Sequence, residues 1–332
     1  MITPSSVLVY HRKMDNPDAK IPAGRFAPSP TGRMHLGNIF TAVMSWLSVK
    51  SRGGRWILRI EDLDPQRSKF EYARVIEDDL AWLGLEWDEG GLDNKGPHGP
   101  YLQSERHDLY REYLHRLELT GYTYPCRCTR ADIMATQAPH RSDGRVVYSG
   151  TCRPMNLPLT TPLNSDGCAV RLYVPDEDIR VNDLVCGENV FNLAEECGDF
   201  IVRRADGAWS YQLAVVVDDA LMGVTEVMRG NDLLPSAAQQ IYLHTLLGFT
   251  PPSFAHVPLI INKDGRRLSK RDKGMAMDSL RQTYSPEEIL GIVAYLASFL
   301  ETPEPLSLND LLDIYRPLKS TASATRIIDL QP

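Results

Sequence analysis

From Gly24 onward, apolar positions recur in two alternating rhythms. Ile39, Val43, Trp46 and Leu47 fall at i, i+4, i+7 and i+8, the stripe of one helix face. The run Arg55–Ile60 reads as a strand. Tyr72, Val75, Ile76, Leu80 and Leu83 mark a second amphipathic helix with Gly84 as its stop; Tyr110, Tyr113, Leu114 and Leu117 mark a third, ended by Gly121. Strand–helix alternation of this kind predicts a parallel sheet covered on both faces.

Between about 120 and 200 the helical period weakens, and cysteines, prolines and short strand-like runs take over. This stretch reads as an insertion into the α/β domain. Alternation returns near Asp199: Leu213–Val217 reads as a buried strand, Ser236 as the cap of a helix running to Gly248, and Val257–Ile261 as an apolar run before a basic loop. Ser285-Pro286-Glu287-Glu288 is a cap followed by proline at the first helical position. The predicted organisation is a polar extension (1–21), the first half of a catalytic domain (22–120), an inserted subdomain (121–198), the second half (199–250), and a basic loop with a C-terminal helical segment (251–332).

At 332 residues the chain can bury a full core. Its net charge of −7 argues against an indiscriminate polyanion binder, although local basic patches can still contact RNA. Val7–Tyr10 is too short for a secretory apolar segment, and no apolar run approaches the roughly 20 residues that span a bilayer. A cytoplasmic protein is the expectation, and the six cysteines then read as thiols or metal ligands.

Two separated motifs carry the chemistry. The stretch Arg25–Asn38 places Pro28, Pro30 and Gly32 in a turn between strand and helix, with His35 and Gly37 at the helix start. Such turns sit at the carboxyl edge of a parallel sheet, and a helix N-terminus favours phosphate. Gly37 permits close approach of a nucleotide, His35 can donate a hydrogen bond to charge developing on the α-phosphate, and Arg33 can assist. Far along the chain, Arg267-Leu268-Ser269-Lys270-Arg271 forms a basic loop beside the hairpin-favouring pair Asp264-Gly265. Each motif alone has ordinary readings, a packed histidine or a solvated turn. Together they suggest one ATP held from two sides.

The two motifs resemble the ATP-binding signatures of class I aminoacyl-tRNA synthetases, and R-F-A-P-S-P-T-G is similar to the glutamate-specific branch. Arg59–Asp64, Val217-Asp218-Asp219 and Val227-Met228-Arg229-Gly230 extend the likeness over roughly residues 24–280. Arg267 stands where that branch has lysine. The resemblance implies an α/β, Rossmann-like catalytic domain with an inserted zinc-binding subdomain and a short C-terminal helical segment. It implies ATP bound by Pro28, Gly32, His35, Gly37, Asn38, Arg267, Ser269 and Lys270, with Lys270 on the phosphates and Mg2+ accompanying ATP. For L-glutamate it implies Arg25 and Arg229 as carboxylate forks and Glu61 as the ammonium partner, with Tyr211, Ser29 and Ala27 beside them.

Cys126, Cys128 and Cys152 could supply three thiolates to Zn2+; on chemistry alone the fourth ligand is His140 or water. Full-length glutamyl-tRNA synthetases with zinc use a C-x-C followed by a C-x-H-like pair. The short glutamyl-queuosine tRNA(Asp) synthetase family has C-x-C followed by Y-x-x-x-C, which this chain resembles. That likeness assigns Tyr148 as the fourth ligand, in a structural site. Cys168, Cys186 and Cys197 are then expected to be small buried residues.

The roughly 45 residues after the helix start at Ser285 cannot hold a large anticodon-binding region. The short family activates glutamate without tRNA and transfers it to queuosine in the anticodon loop of tRNA(Asp). Arg127, Arg130, Arg203 and Arg204 are conceivable RNA contacts, and nothing in the pattern requires more than a monomer. The alternatives are a glutamyl-tRNA synthetase fragment charging tRNA(Glu), a related nucleotidyltransferase that uses no RNA, and a non-catalytic tRNA-binding module.

Overall fold

A computed structural model describes residues 21–135, 147–157, 159, 167–262, 273–318 and 325–328. Residues 1–20 of the expected extension, His140, the pair Asp264-Gly265, and Arg267, Ser269 and Lys270 lie outside the described residues.

The chain opens with β1 (Ala23–Phe26), α1 (Leu36–Lys50), β2 (Arg55–Leu58), α2 (Phe70–Trp82), β3 (Glu89–Gly90) and α3 (His107–Leu119). Next come β4 (Thr123–Cys126), α4 (Arg130–Ala135), β5 (Ala169–Leu172), β6 (Asp178–Asp183), β7 (Gly187–Asn192), α5 (Leu193–Glu196) and β8 (Phe200–Arg203). Then come α6 (Tyr211–Leu221), β9 (Glu226–Gly230), α7 (Leu234–Leu246), β10 (Ser253–Val257), β11 (Leu259–Asn262), α8 (Met277–Thr283), α9 (Pro286–Leu296), α10 (Leu308–Ile314) and β12 (Thr325–Ile328).

The main sheet is parallel, in the order β10-β9-β1-β2-β3. Its strands alternate between two cores, as a pleat demands. Trp56, Leu58, Met228 and Ala255 face the core shared with α1, α2 and α9; Ile57, Val227 and Phe254 face the core shared with α3, α6 and α7. Helix α1 lies close on β1 because Gly24 has no side chain: a Cβ there would come within 2.7 Å of Val49 Cγ1. Outside the main sheet β4, β5 and β8 form an antiparallel sheet, so Phe200–Arg203 pairs with a strand of the expected 121–198 insertion although it lies past that bound; β6 and β7 form a hairpin. The turn after β6 is tied to the main sheet: Leu184 N donates to Phe254 O at 2.8 Å.

The helices expected from periodicity are present, but several local readings are corrected. Leu213–Val217 is the core of helix α6, not a strand. All residues from Leu213 to Asp219 are buried, so the helix shows no polar face and its apolar run has no period. Its start is marked instead by Ser210, whose hydroxyl accepts from Leu213 N at 3.3 Å. Ser236 is not a cap: α7 begins at Leu234, with Pro235 fixing the first turn. Strand β2 ends at Leu58, and Ile60 makes only an isolated bridge to Leu102. Cys168 is buried as expected, whereas Cys186 and Cys197 are only half-buried, their thiols donating to the carbonyls of His256 and of Leu193 and Gly198. Ser285 does cap α9, in a reciprocal arrangement with Glu288.

Candidate active site

After β1 the chain moves to β2 and β3 on one side, and it later returns to place β9 and β10 on the other. The order therefore reverses between β1 and β9, where open parallel sheets form a crevice beyond the carboxyl ends of the strands. Arg25 is near the end of β1 and Arg229 near the end of β9. A cavity of about 670 Å3 opens there. It is lined by Arg25, Ala27, Pro28, Ser29, Gly32, His35, Gly37, Asn38, Glu61, Tyr211 and Arg229, so every described residue assigned above to ATP or glutamate reaches one cleft; Arg33 lines it too.

One end of this cleft is built from backbone. His35 is the N-cap of α1: its Nδ1 accepts from Gly37 N at 3.1 Å, and Asn38 Oδ1 accepts from His35 N at 3.1 Å. Because an amide N–H only donates, the neutral ring carries its proton on Nε2. Gly37 does more than admit a ligand. A Cβ there would lie 3.0 Å from His35 Cε1, so the glycine seats the imidazole. Beyond the undescribed basic loop the chain comes back to this spot: His35 forms a bridge with Ala276, and Met277 N donates to Met34 O at 2.9 Å.

The other end is built from buried charge. Arg59 is fully buried and donates to Asp219 Oδ1 at 2.6 Å and to Glu61 Oε1 at 3.2 Å. Asp218 accepts from Arg106, Gln103 and Tyr110 at 2.6 to 2.9 Å. Arg25 Nε lies 3.5 Å from Asp219, and its Nη1 donates to Met228 O at 3.2 Å. Arg229 differs: its described partners are the neutral His256 Nε2 at 3.0 Å, Leu233 O at 3.3 Å and the Tyr211 hydroxyl at 3.4 Å. Burial lowers the Arg229 pKa, the mark of a cation short of an anion. Burial likewise pushes the Glu61 carboxyl up, against the pull of Arg59 and Arg25. Burial also acts to raise Asp219, but Arg59 and Arg25 outweigh it and hold that carboxylate low.

The sequence motifs contain Arg59, Asp218 and Asp219 but assign them no role, and none of them contains His256 or Asp183. Asp219 scaffolds Arg25 and Arg59, while His256 contacts Arg229 from β10. A lone histidine in an apolar strand gave no signal of this. The four arginines considered for RNA lie in or at the edge of the inserted region; Arg127 and Arg130 are exposed, and Arg204 pairs with Asp206 at 2.6 Å.

The thiol cluster is a separate site. The sulfurs of Cys126, Cys128 and Cys152 all lie within 4.8 Å of one another, with Cys128 and Cys152 3.5 Å apart. The Tyr148 oxygen is 3.4 Å from Cys126 Sγ and 3.9 Å from Cys128 Sγ, and it accepts from Cys152 N at 2.8 Å. Tetrahedral zinc at about 2.3 Å from each sulfur separates ligand atoms by roughly 3.5–3.8 Å, so this donor set fits the ion. Burial acts to raise the Cys152 pKa, but hydrogen bonds involving the Arg127 backbone, Cys128 and Tyr148 outweigh it and bring the thiol down to about 7. Cys128 is pushed up to about 11, chiefly by burial. Arg171 donates to Cys126 Sγ at 3.2 Å and lies over the Tyr148 ring at 3.7 Å, a cation ready to offset thiolate charge.

An open parallel sheet whose reversal point carries a capping histidine, a phosphate-ready helix start and a buried charged pocket is the catalytic domain of a class I synthetase. Residues 23–303 match the family described as tRNA synthetases class I (E and Q), catalytic domain, and the chain belongs to that family and, within it, to the glutamyl-Q tRNA(Asp) synthetases. It is 48% identical to the Glutamyl-Q tRNA(Asp) synthetase of Symbiobacterium thermophilum, over 88% of this chain and 91% of that protein. It is 43% identical to the protein of that name from Nitratidesulfovibrio vulgaris, again over 88% and 91%. Its fold is similar to the crystal structure of a glutamate tRNA ligase from Elizabethkingia meningosepticum in complex with its amino acid, with a TM-score of 0.79 and 30% identity, covering 93% of this chain and 67% of that one. Among the described residues, no helix is long and apolar enough to cross a membrane.

Proposed function

We propose that this chain is an ATP-dependent ligase that converts L-glutamate to glutamyl-adenylate and transfers the glutamyl group to queuosine in the anticodon loop of tRNA(Asp). The observation that carries the reading is Arg229, a buried guanidinium whose described hydrogen-bond partners are all neutral, in the same cleft as the half-buried carboxylate of Glu61. A buried cation whose hydrogen-bond partners are all neutral calls for an anionic ligand, and a carboxylate lining the same cleft can receive that ligand's ammonium. An amino acid with a second carboxylate supplies its ammonium to Glu61 and its anions to Arg25 and Arg229, with Tyr211, Ser29 and Ala27 shaping the rest.

In the first step a carboxylate oxygen of glutamate attacks the α-phosphorus of ATP in line, the bond to the β-phosphate oxygen breaks, and pyrophosphate leaves. The α1 N-terminus, with Pro28, Gly32, Gly37 and Asn38, receives the nucleotide, while Nε2–H of His35 donates to the charge that grows there. Mg2+ arrives as part of the ATP substrate. Lys270, with Arg267 and Ser269, has the complementary task on the departing phosphates. In the second step a nucleophile of queuosine attacks the acyl carbon and AMP leaves. We assign one zinc to Cys126, Cys128, Cys152 and Tyr148; it would crosslink the inserted region and take no part in adenylation.

Charging assays test this directly. Glutamate should become attached to tRNA(Asp) only when queuosine is present. Attachment to tRNA(Glu) instead would move the chain to the discriminating synthetases. Glutamate-dependent ATP–pyrophosphate exchange should proceed without tRNA and be abolished by Lys270→Ala in a protein that remains folded.

A further inference from the structure

A side chain outside both motifs contacts Arg229 directly. His256 is fully buried on β10. Its Nε2 lies 3.0 Å from Arg229 Nε. A guanidinium only donates, so Nε2 must offer its lone pair, and the proton of the neutral ring sits on Nδ1. Nδ1–H donates to Asp183 Oδ2 at 2.6 Å. The other oxygen of Asp183 accepts from the backbone N–H groups of Val185, Cys186 and His256 at 2.9, 2.7 and 3.1 Å. Phe254 stacks near the imidazole at 6.1 Å and lies under the Arg229 guanidinium at 5.3 Å. Carboxylate, ring and fork are each fixed by the preceding group.

The chemistry of this chain of contacts is specific. A carboxylate placed directly on Arg229 would hold it equally well but would neutralise it. The neutral ring holds the fork and leaves its charge for a ligand, and the Asp183 charge is kept one imidazole away. We propose that His256 and Asp183 are positioning residues that orient Arg229 for a glutamate carboxylate, so that the inserted region helps set amino-acid affinity. This rests on the reading of Arg229 as a glutamate-binding arginine.

The test is glutamate-dependent ATP–pyrophosphate exchange by the full-length protein, with KM determined for glutamate and for ATP. KM reports only on folded molecules, so partial loss of folding does not obscure it. His256→Asn keeps a donor for Asp183 at the place of Nδ1 but removes the acceptor for Arg229. It should raise the glutamate KM about ten-fold or more, the usual cost of losing a hydrogen bond to a charged group, and move the ATP KM less than about three-fold. His256→Gln restores an acceptor at the place of Nε2 and should recover most of the loss. Asp183→Asn should raise the glutamate KM by a smaller factor than His256→Asn.

An unchanged glutamate KM in His256→Asn, or equal rises in both KM values, overturns the proposal. So does failure of His256→Gln to differ from His256→Asn, and an unaltered KM in Asp183→Asn removes the aspartate from it. If the unmodified protein shows no glutamate-dependent exchange, the functional reading and this proposal fall together. Exchange by the unmodified protein with an insensitive His256 sinks the proposal alone.

Discussion

The two ends of the cleft are made in opposite ways. Among the described residues, the end proposed for the nucleotide is one continuous stretch, residues 28–38, and it offers backbone N–H groups, a glycine and an N-capping imidazole. The charged end gathers Arg25, Arg59, Glu61, Asp219 and Arg229 from separate parts of the chain, all of them buried except the half-buried Glu61. The first needs little beyond the correct turn. The second holds cations and anions away from water, and Arg25, Arg59, Glu61 and Asp219 compensate one another there while Arg229 has only neutral hydrogen-bond partners. Substitution at the charged end should therefore damage affinity and stability together, whereas substitution at the nucleotide end should damage turnover alone.

The largest test of that division is Arg229→Ala. Glutamate-dependent exchange at limiting glutamate should fall about 100-fold or more, as expected when a buried charged anchor is lost, with the ATP KM nearly unchanged. A parallel rise in the ATP KM would erase the boundary between the ends. Asp219→Ala should next cost about 3–5 kcal/mol in urea unfolding, because Arg59 and Arg25 lose their shared carboxylate; a loss below about 1 kcal/mol would mean the network is no firmer than the turn opposite. At the nucleotide end, Gly37→Ala should lower exchange about ten-fold by pressing on His35, while leaving the melting temperature the same or higher, since alanine is favoured over glycine in a helix by about 1 kcal/mol. Melting that drops along with activity would contradict the contrast.

Acid should weaken the charged half in a defined window. Burial lowers both His244 and His256 below the usual 6.5. The unfolded chain then binds protons that the folded one refuses, so the stability these two groups contribute is fully present above about 6.5 and declines as pH falls below it. Each adds a slope of up to about 1.4 kcal/mol per pH unit. Urea unfolding at pH 7.5 and 5.5 measures it, and a midpoint that rises on acidification contradicts the sign. The smallest effect on exchange should come from the thiol cluster. Elemental analysis should give about one zinc per chain, and Cys152→Ser should lose it while exchange stays within about three-fold of normal.

What could be read from the chain follows from where each interaction resides. The Arg25–Asn38 turn was legible because strand end, glycine, histidine and helix start are adjacent in sequence. Tyr211, Glu61 and Arg229 were placed by resemblance, and the structure brings them to the same cleft. Leu213–Val217 reads as a strand because a helix buried all round and a strand buried on both faces write the same apolar run; the decisive sign is the cap at Ser210. His256 and Asp183 left no trace. They stand 73 positions apart, and each in isolation looks like an ordinary core histidine or turn aspartate.

The tie between the β6 turn and β10 also bears on how this chain could be dissected. The stretch between about 120 and 200 looks like a self-contained cassette grafted onto a nucleotide-binding scaffold. Yet Asp183 and Leu184 grip the scaffold's edge strand, directly behind the Arg229 side chain. A minimal enzyme engineered by excising that cassette would retain every residue proposed for ATP and still, on the proposal above, bind its amino acid poorly, unless a replacement brace were designed for the imidazole.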